Sequence, residues 1–595
     1  MRPSDRSAAI DEALLVERSF TGRGWKLAAP DDARALALCQ RFDLPEIVGR
    51  ILVQRQIDAA SAEQFLRPRL RDCLPDPSHL LDLDAAVERI VAAVTAGDTI
   101  GIVGDYDVDG ATSTALMVRY LRHFGCPTQV IIPDRLTDGY GPSLRIVERL
   151  AASGCRLVLT LDNGTTAHEP LARARELGID VIVVDHHAPA ATLPVATAIV
   201  NPNRADQTSP LRHLAAVGVV FVLAIALNRR LRARGDVPDL MRWLDLVALG
   251  TVCDVVPLTG LNRAFVHQGL KVAAAGVNPG MRALADLAGV GTLDDARPFG
   301  FAFGPRINAG GRLGHSGLGW KLLAGDDAGE AQAIAGTLDE LNRRRQTLER
   351  QCLAAAQRAV EAQAEAGSPI LVAIGDGWHP GVVGIVASRL VEVYGRPVLV
   401  ISFDSDTGDG DAGKGSGRSV PGVDLGRLVL DARAAGLLEA GGGHPMAAGL
   451  SLTRAQLEPF RAFLTERSAT SMPDGVPAAP LVVDALLAPS AMNLQLVEKL
   501  ACLAPFGAGN GEPLLALKGA RIMRPREVGQ GHLSCLIGSP AGGAVKAIAF
   551  RAARRGLSEP LSLEGGTLML AGRLRCDDYR GNRQPSFEIE DVAPA

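Results

Sequence analysis

The stretch Ile100-Gly-Ile-Val-Gly-Asp105-Tyr-Asp107-Val-Asp109-Gly-Ala-Thr-Ser113 decides the fold class of this chain. Ile100 to Val103 reads as a short buried strand, and Thr114 to Phe124 beyond it reads as a helix. Three carboxylates occupy the turn between the two. Carboxylates this close repel one another, so a cluster of three implies a cation. A calcium EF-hand loop also begins D-x-D-x-D-G, but it needs Glu at its twelfth position, which here is Leu116.

The same design recurs downstream. Leu157 to Leu159 runs into Asp162-Asn-Gly164, and Val181 to Val184 runs into Asp185-His186-His187. Val130 to Ile132 is a further apolar run, and helix-like stretches such as Leu171 to Leu177 lie between. Alternating short strands and helices predict a parallel sheet of βαβ units. In such sheets ligands bind at the carboxyl ends of the strands. One Asp after a strand is most often a turn or an N-cap; three strands each ending in a possible metal ligand are harder to explain that way. A fourth acidic site, Asp254, follows Leu249-Gly-Thr-Val-Cys, where apolar neighbours demand a partner for the charge. Asp and His without Cys suit manganese or magnesium at a two-metal site. Two ions about 3.5–4 Å apart would activate water and clamp the oxygens of a phosphoryl displacement.

Working outward, 595 residues allow about four domains. The hydrophobic content of 47% and charged content of 22% exclude a largely disordered chain. The net charge of −4 excludes a uniformly basic nucleic-acid coat and permits a local basic groove. Nine scattered cysteines without a CxxC pair argue against a disulfide framework or structural zinc and predict reduced thiols in the cytoplasm. The N-terminus shows no signal-peptide pattern, and the longest apolar run, Leu214 to Leu227, is too short to span a bilayer and reads as a buried helix.

The fold class expected is α/β with a C-terminal barrel. Residues 1–80 form an N-terminal extension, with a helix from Leu83 to Ala96 just after it, and residues 81–325 the catalytic parallel-sheet domain. Residues 326–368 form one long connecting helix, broken at most near Gly336. Residues 369–465 form a smaller α/β domain, with strands at Ile370 to Ile374 and Val398 to Ile401 and a helix from Val382 to Tyr394. Short glycine-punctuated strands in 480–595 predict a small β-barrel, which the resemblance given below makes OB-like.

These motifs resemble those of the DHH phosphoesterase superfamily. Asp105-Tyr-Asp107-Val-Asp109-Gly, Asp162-Asn-Gly, Asp185-His186-His187 and Gly250-Thr-Val-Cys-Asp254 are similar to its four motifs. Trp378-His-Pro-Gly-Val-Val-Gly, Gly415-Ser-Gly-Arg418-Ser and Gly441-Gly-Gly-His444-Pro are similar to the DHH-associated domain, and Phe506-Gly-Ala-Gly-Asn510-Gly-Glu-Pro513 to the start of an OB domain. In this order they resemble the superfamily's 5′→3′ single-stranded-DNA exonucleases. The resemblance implies metal roles for Asp105, Asp107, Asp109, Asp162, Asp185, His186 and Asp254, with Asp109, Asp185, His186 and His187 at the chemistry. It implies that Arg135, Tyr140, Arg312, Ser416, Arg418 and His444 hold DNA, with Tyr140 stacking on a base and Ser416 and Arg418 on the terminal phosphate. The barrel would add single-strand affinity; it has few aromatics, Tyr579 and Phe587 the visible ones, so backbone electrostatics are expected to outweigh stacking there. The implied product is 5′-mononucleotides, the implied setting DNA repair and recombination, and the implied partners a single-strand-binding protein and a RecQ-type helicase. Two rival functions are a phosphatase of short oligonucleotides and a catalytically dead scaffold. The extra C-terminal segment argues against the first, and the intact ligand set against the second.

Overall fold

In a computed structural model the structure describes residues 11–135, 138–403, 411–471, 480–529, 531–538, 543–579 and 582–595, the side chains of 11, 12, 468–471, 578, 579 and 582 excepted. Contacts divide the chain into two compact units. One is built from Pro77–Asp254 and Val272–Pro477, the other from the described parts of Met1–Asp76, Val255–Lys271 and Ala478–Ala595.

The first unit carries a five-stranded sheet: β1 (Ile100–Val103), β2 (Thr128–Ile131), β3 (Leu157–Leu161), β4 (Asp180–Val184) and β5 (Ala198–Val200). All neighbours are parallel and the spatial order is β2-β1-β3-β4-β5. β1, β3 and β5 are buried throughout, as expected where helices cover both faces. The chain leaves β1 toward β2 on one side and returns to β3 on the other. That reversal opens a crevice at the carboxyl ends of β1 and β3.

Helix α1 (Val108–His123) follows β1 directly. α2 (Ala216–Leu231) is the buried helix expected from the long apolar run, and α3 (Leu244–Cys253) ends at Asp254. A Cβ on Gly250 would sit 2.4 Å from Thr112 Oγ1 and 2.7 Å from Val217 Cγ1, so this glycine lets α3 close on α1 and α2. α4 (Gly304–Arg312) follows a π-helical turn, Phe299–Phe303. α5 (Ala328–Glu365) is one unbroken helix of 38 residues, capped by Asp327, whose carboxylate accepts from Glu330 N. Gly336 does not interrupt it.

A second sheet holds β6 (Leu371–Asp376), β7 (Val398–Phe403), β8 (Ala412–Arg418), β9 (Ala440–His444) and β10 (Ala447–Thr453), in the order β9-β10-β8-β7-β6. Only β6 and β7 are parallel. α6 (Pro380–Tyr394) connects these two strands.

In the other unit, strands Leu515–Val528, His532–Gly538, Ala544–Ala549, Asn582–Pro594 and Thr567–Tyr579 pair in that order. The last pairs back with the first, which closes a five-stranded barrel. Leu515, Leu533, Leu570 and Ile589 fill it, together with Phe587. Val48, Ile51 and Leu52 of helix Glu46–Gln54 join the same apolar cluster. Strands Asp11–Val16 and Trp25–Ala29, unread in the sequence, form a small sheet with Leu481–Val483. Among the described residues no helix is long and apolar enough to cross a membrane.

Candidate metal centre and adjoining arginine cavity

The carboxyl ends of β1, β3 and β4 deliver the three acidic motifs to one place. After β1, Asp107 caps α1 by accepting from Gly110 N at 3.0 Å, and Asp105 turns back to accept from Tyr106 N at 2.8 Å. A Cβ on Gly110 would lie 2.5 Å from the Asp105 Cβ, so the motif's glycine permits this turn. Asp109, the second residue of α1, is buried. Its two oxygens accept from Ala216 N at 2.6 Å and Val217 N at 2.9 Å, at the positive end of α2.

After β3, Asp162 adopts a left-handed backbone, φ 64°, unusual for a residue with a Cβ. The Tyr140 hydroxyl donates to its carbonyl at 2.7 Å. Asn163 Nδ2 donates to Val103 O at 3.2 Å and Leu161 O at 2.8 Å, joining the ends of β1 and β3. Gly164 has φ 104°, and a Cβ there would strike Thr160 Oγ1. Thus each residue of Asp162-Asn163-Gly164 has a separate task. Strain of this kind persists where surrounding structure enforces it, commonly at functional sites.

After β4, Asp185 accepts from Thr165 N, His186 N and His187 N and holds His187 Nδ1 at 2.8 Å. His187 Nδ1 also lies 3.1 Å from the Tyr140 hydroxyl. His186 hydrogen-bonds the Leu214 backbone, which orients its ring. Its Nε2 then lies 3.4 Å from Asp162 Oδ1, 3.6 Å from Asp254 Oδ2 and 3.8 Å from Asp109 Oδ2. His186 Nε2, Asp162 Oδ1 and Asp254 Oδ2 are buried and have no hydrogen-bond partner. Buried polar atoms are normally satisfied, and these three, facing one point, fit a cation held between them. Among the described residues three donor sets fall within 4.8 Å: Asp162 with His186 and His187, Asp109 with His186 and Asp254, and Asp105 with Asp107 and Asp162. Asp162 and His186 each belong to two sets. Oxygen and imidazole donors without thiolate suit a hard divalent cation. Cys253, beside Asp254, directs its thiol to Phe299 O instead.

The electrostatics agree. Burial, then the charge of Asp107, raises Asp105 to about 8 and Asp254 to about 7. Burial also drives Asp109 and Asp162 well above the usual carboxylate range, helped by Asp254 and by Asp109 respectively. Asp185 is the exception: burial would raise it, but the hydrogen bond and charge of His187 outweigh burial and lower it. Burial and the charge of His187 keep His186 lowered, so its Nε2 lone pair is available. His187 is raised to about 9, because Asp185 outweighs the burial that would lower it.

Beside the carboxylates a cavity of about 310 Å³ is lined by Asp105, Tyr106, Asp107, Arg135, Tyr140, His187, Asn308 and Arg312. Arg135 lies over the Tyr106 ring at 5.3 Å. Arg312 donates to Gly381 O at 3.0 Å, at the start of α6. Burial and then repulsion from Arg135, Arg345 and Arg418 lower Arg312 to about 10. Arg418 is also lowered, by burial and Arg135, and donates to Gly417 O and to Ser416 Oγ at 3.2 Å. A Cβ on Gly384 of α6 would lie 3.0 Å from Ser416 Oγ, so this glycine brings the helix onto the pair. The guanidinium groups of Arg135, Arg312 and Arg418 repel one another, and an anion would relieve them.

Not every expected residue joins this group. His444 ends β9, exposed, and does not line the cavity. Tyr140 is 45% exposed, but its hydroxyl is committed to Asp162 and His187. Phe587 is fully buried in the barrel and offers no face to a base. The Tyr579 side chain lies outside the described residues. Conversely, Asn201 and Asn203 went unread. Asn201 Nδ2 donates to His187 O at 2.9 Å and Asn203 Nδ2 to His186 O, fixing the backbone of the histidine pair. Their signal was the Asn201-Pro-Asn203 turn after the short apolar run at Ala198–Val200.

Family models match in the same order: "DHH family, N-terminal domain" over residues 99–251, "DHHA1 domain" over 367–469 and "RecJ OB domain" over 483–591. The chain is 37% identical over 571 residues to the single-stranded-DNA-specific exonuclease RecJ of Escherichia coli K12, covering 93% of this chain and 96% of that protein. It is 33% identical over 576 residues to the Bacillus subtilis protein of the same name, covering 96% of this chain and 70% of that one. Among solved structures, RecJ of Thermus thermophilus in complex with Mn2+ matches with a TM-score of 0.79 at 32% identity, covering 96% of this chain and 79% of that chain. The same protein in complex with Mg2+ matches with a TM-score of 0.74 at 31% identity, covering 96% and 78%. With its parallel sheet, its second α/β sheet and its closed barrel matched in one order, the chain belongs to the RecJ family of single-stranded-DNA-specific exonucleases.

Proposed function

We propose that this protein degrades single-stranded DNA from the 5′ end, releasing 5′-mononucleotides by two-metal hydrolysis, in DNA repair and recombination. The observation that carries the reading is the pairing of orphaned acceptors at His186, Asp162 and Asp254 with mutually repelling arginines one cavity away. One face asks for cations and the other for an anion, as a metal-dependent phosphodiesterase requires.

Asp109, His186, Asp254 and Asp162 would hold one Mn2+ or Mg2+ ion, and Asp105, Asp107 and Asp162 the other. When bound, the ions supply Lewis-acid polarisation of the scissile phosphate and an activated water. Asp185 acts through its neighbours, anchoring His187 and the backbone of His186. His187 is a cation at neutral pH and faces the cavity, so it can donate to a phosphate oxygen as negative charge develops. Arg135 and Arg418, with Ser416, would take the terminal phosphate, and Arg312 and Asn308 the first nucleotide. His444 would meet the strand farther out.

We propose the domain division 1–80, 81–325, 326–368, 369–465 and 480–595 for the functional modules. A single-strand-binding protein and a RecQ-type helicase are proposed as partners on the family resemblance. All nine cysteines are free thiols, which favours a cytoplasmic setting.

The test uses a long single strand labelled at either end, with Mn2+, comparing the wild type with Asp162→Ala. Early release of the 5′ label alone as mononucleotide, abolished by the substitution, is expected. Release from the 3′ label first would overturn the direction. Cleavage confined to dinucleotides would replace the reading with a small-substrate phosphodiesterase.

A further inference from the structure

Phe301 is 84% exposed, more than any other large apolar side chain described. Its position is held firmly. Phe299 and Phe303 on either side are fully buried, with rings 5.7 Å apart. The three lie on the π-helical turn Phe299–Phe303 that feeds straight into α4. Single π-helical turns are uncommon and concentrate at functional sites.

The exposure pattern along this segment gives the turn a direction. Phe301, Ala302, Pro305, Arg306, Asn308 and Arg312 retain solvent access, whereas Phe303, Gly304, Ile307, Ala309, Gly310 and Gly311 are buried, and Phe301, Pro305, Asn308 and Arg312 fall on one line of that accessible face. Offsets of 4, 7 and 11 residues describe one stripe along a helix. Asn308 and Arg312, at one end of that stripe, line the cavity beside the carboxylates. Asn308 Oδ1 is buried there without a partner. At 1.5 Å per residue, Phe301 lies about 10 Å from Asn308 along the axis, roughly the span of three stacked nucleotides.

We propose that Phe301 stacks on a base of the single strand that trails out of the cavity along this stripe, with Pro305 packing beside it. The inference rests on the single-strand reading above and adds a binding residue to it. An aromatic face accepts any base, so the contact gives grip without sequence preference. It also excludes a duplex, whose bases are already stacked on one another.

The experiment measures the affinity of the full chain, in EDTA so that nothing is cut, for 5′-phosphorylated 12-mers by fluorescence anisotropy. One series carries a single abasic nucleotide at successive positions. Phe301→Ala is expected to weaken binding about 5- to 150-fold, as for loss of one base–aromatic stack. Phe301→Trp should bind as well as wild type or better. In wild type, an abasic site at one position, about the third to fifth, should cost the same factor, and in Phe301→Ala it should cost nothing further. The side chain is exposed, so these variants should fold. Equal binding by wild type and Phe301→Ala overturns the proposal and leaves the residue to a protein partner. Weaker binding by Phe301→Ala without a position-specific abasic coupling also overturns it. Failure of the wild type to bind or cut any single strand would instead overturn the functional reading on which it rests.

Discussion

The carboxyl ends of the parallel sheet and the C-terminal barrel treat charge in opposite ways. In the barrel unit charges meet partners within the fold. Arg575 pairs with Glu512 at 2.7 Å and with Glu588, and Arg573 pairs with Glu590. The buried Asp591 accepts from Trp25 Nε1 and Thr21 Oγ1, both at 2.9 Å. Buried Arg263 lies 3.8 Å over the Phe65 ring and donates to the carbonyls of Phe65, Leu503 and Ala504. At the sheet ends, buried carboxylates face each other and three acceptors have no partner. Folding chemistry alone satisfies the first region, whereas the second is completed only by something that binds.

The largest expected effect breaks the second region. Asp162→Ala removes the carboxylate shared by two donor sets, and activity should fall by about 10³-fold or more. Stability supplies an independent readout. Asp105 and Asp254 have folded values of about 8 and about 7, raised from 3.8. For groups raised in this way, the favourable contribution is present below pH ~4 and is lost as pH climbs toward 8. The metal-free protein should therefore lose stability from this cluster across that window. Mn2+ at one hundred times its Kd should restore about 2.7 kcal/mol, with a larger Tm rise at pH 8 than at pH 6. Asp162→Asn should raise the metal-free Tm and suppress the Mn2+ response. A metal-free Tm that Asp162→Asn lowers would mean that the carboxylates are already satisfied.

A smaller effect is expected on the anion side. Arg418→Ala should reduce the preference for a 5′-phosphorylated over a 5′-hydroxyl strand about 10- to 100-fold, the worth of a charge-assisted contact. Unchanged preference in a competition assay would remove Arg418 from the terminal phosphate. Smaller again is Gly250→Ala, where the new methyl meets Thr112 and Val217 and approaches Asp109 Oδ1 at 3.0 Å. About 1–3 kcal/mol of destabilisation is expected in urea unfolding, with weaker Mn2+ binding by calorimetry.

Much of the parallel-sheet region was legible in the sequence because its signals are local. Strands such as Leu157–Leu161 are short apolar runs, and each acidic motif follows its strand within a few residues. Helices Leu83–Ala96 and Ala328–Glu365 also follow their apolar spacing. What escaped depends on distant partners. Strand Trp25–Ala29 pairs with Asp11–Val16 and also with Leu481–Val483, the second across more than 400 residues, a register no local pattern encodes. Asn201 and Asn203 look like turn residues until the histidine carbonyls they hold are seen. Phe587 shows the same limit: an aromatic on an alternating strand reads alike whether it faces a barrel interior or a ligand.

The barrel side of the comparison is sharpened by two glycines two residues apart in Phe506-Gly-Ala-Gly-Asn510-Gly. Gly509 has φ 68°, and a Cβ there would lie 3.0 Å from the Pro257 Cβ, where Leu258 N donates to Ala508 O at 2.7 Å. Gly511 has an ordinary φ and open space where its Cβ would be. Gly509→Ala forces an L-residue into a left-handed backbone and presses on Pro257, so it should cost about 1–2 kcal/mol. Gly511→Ala meets nothing and narrows the unfolded ensemble, so it should stabilise by about 0.4–1 kcal/mol. Opposite signs in urea unfolding, with Mn2+ affinity unchanged in both, would show a motif shaped by packing alone.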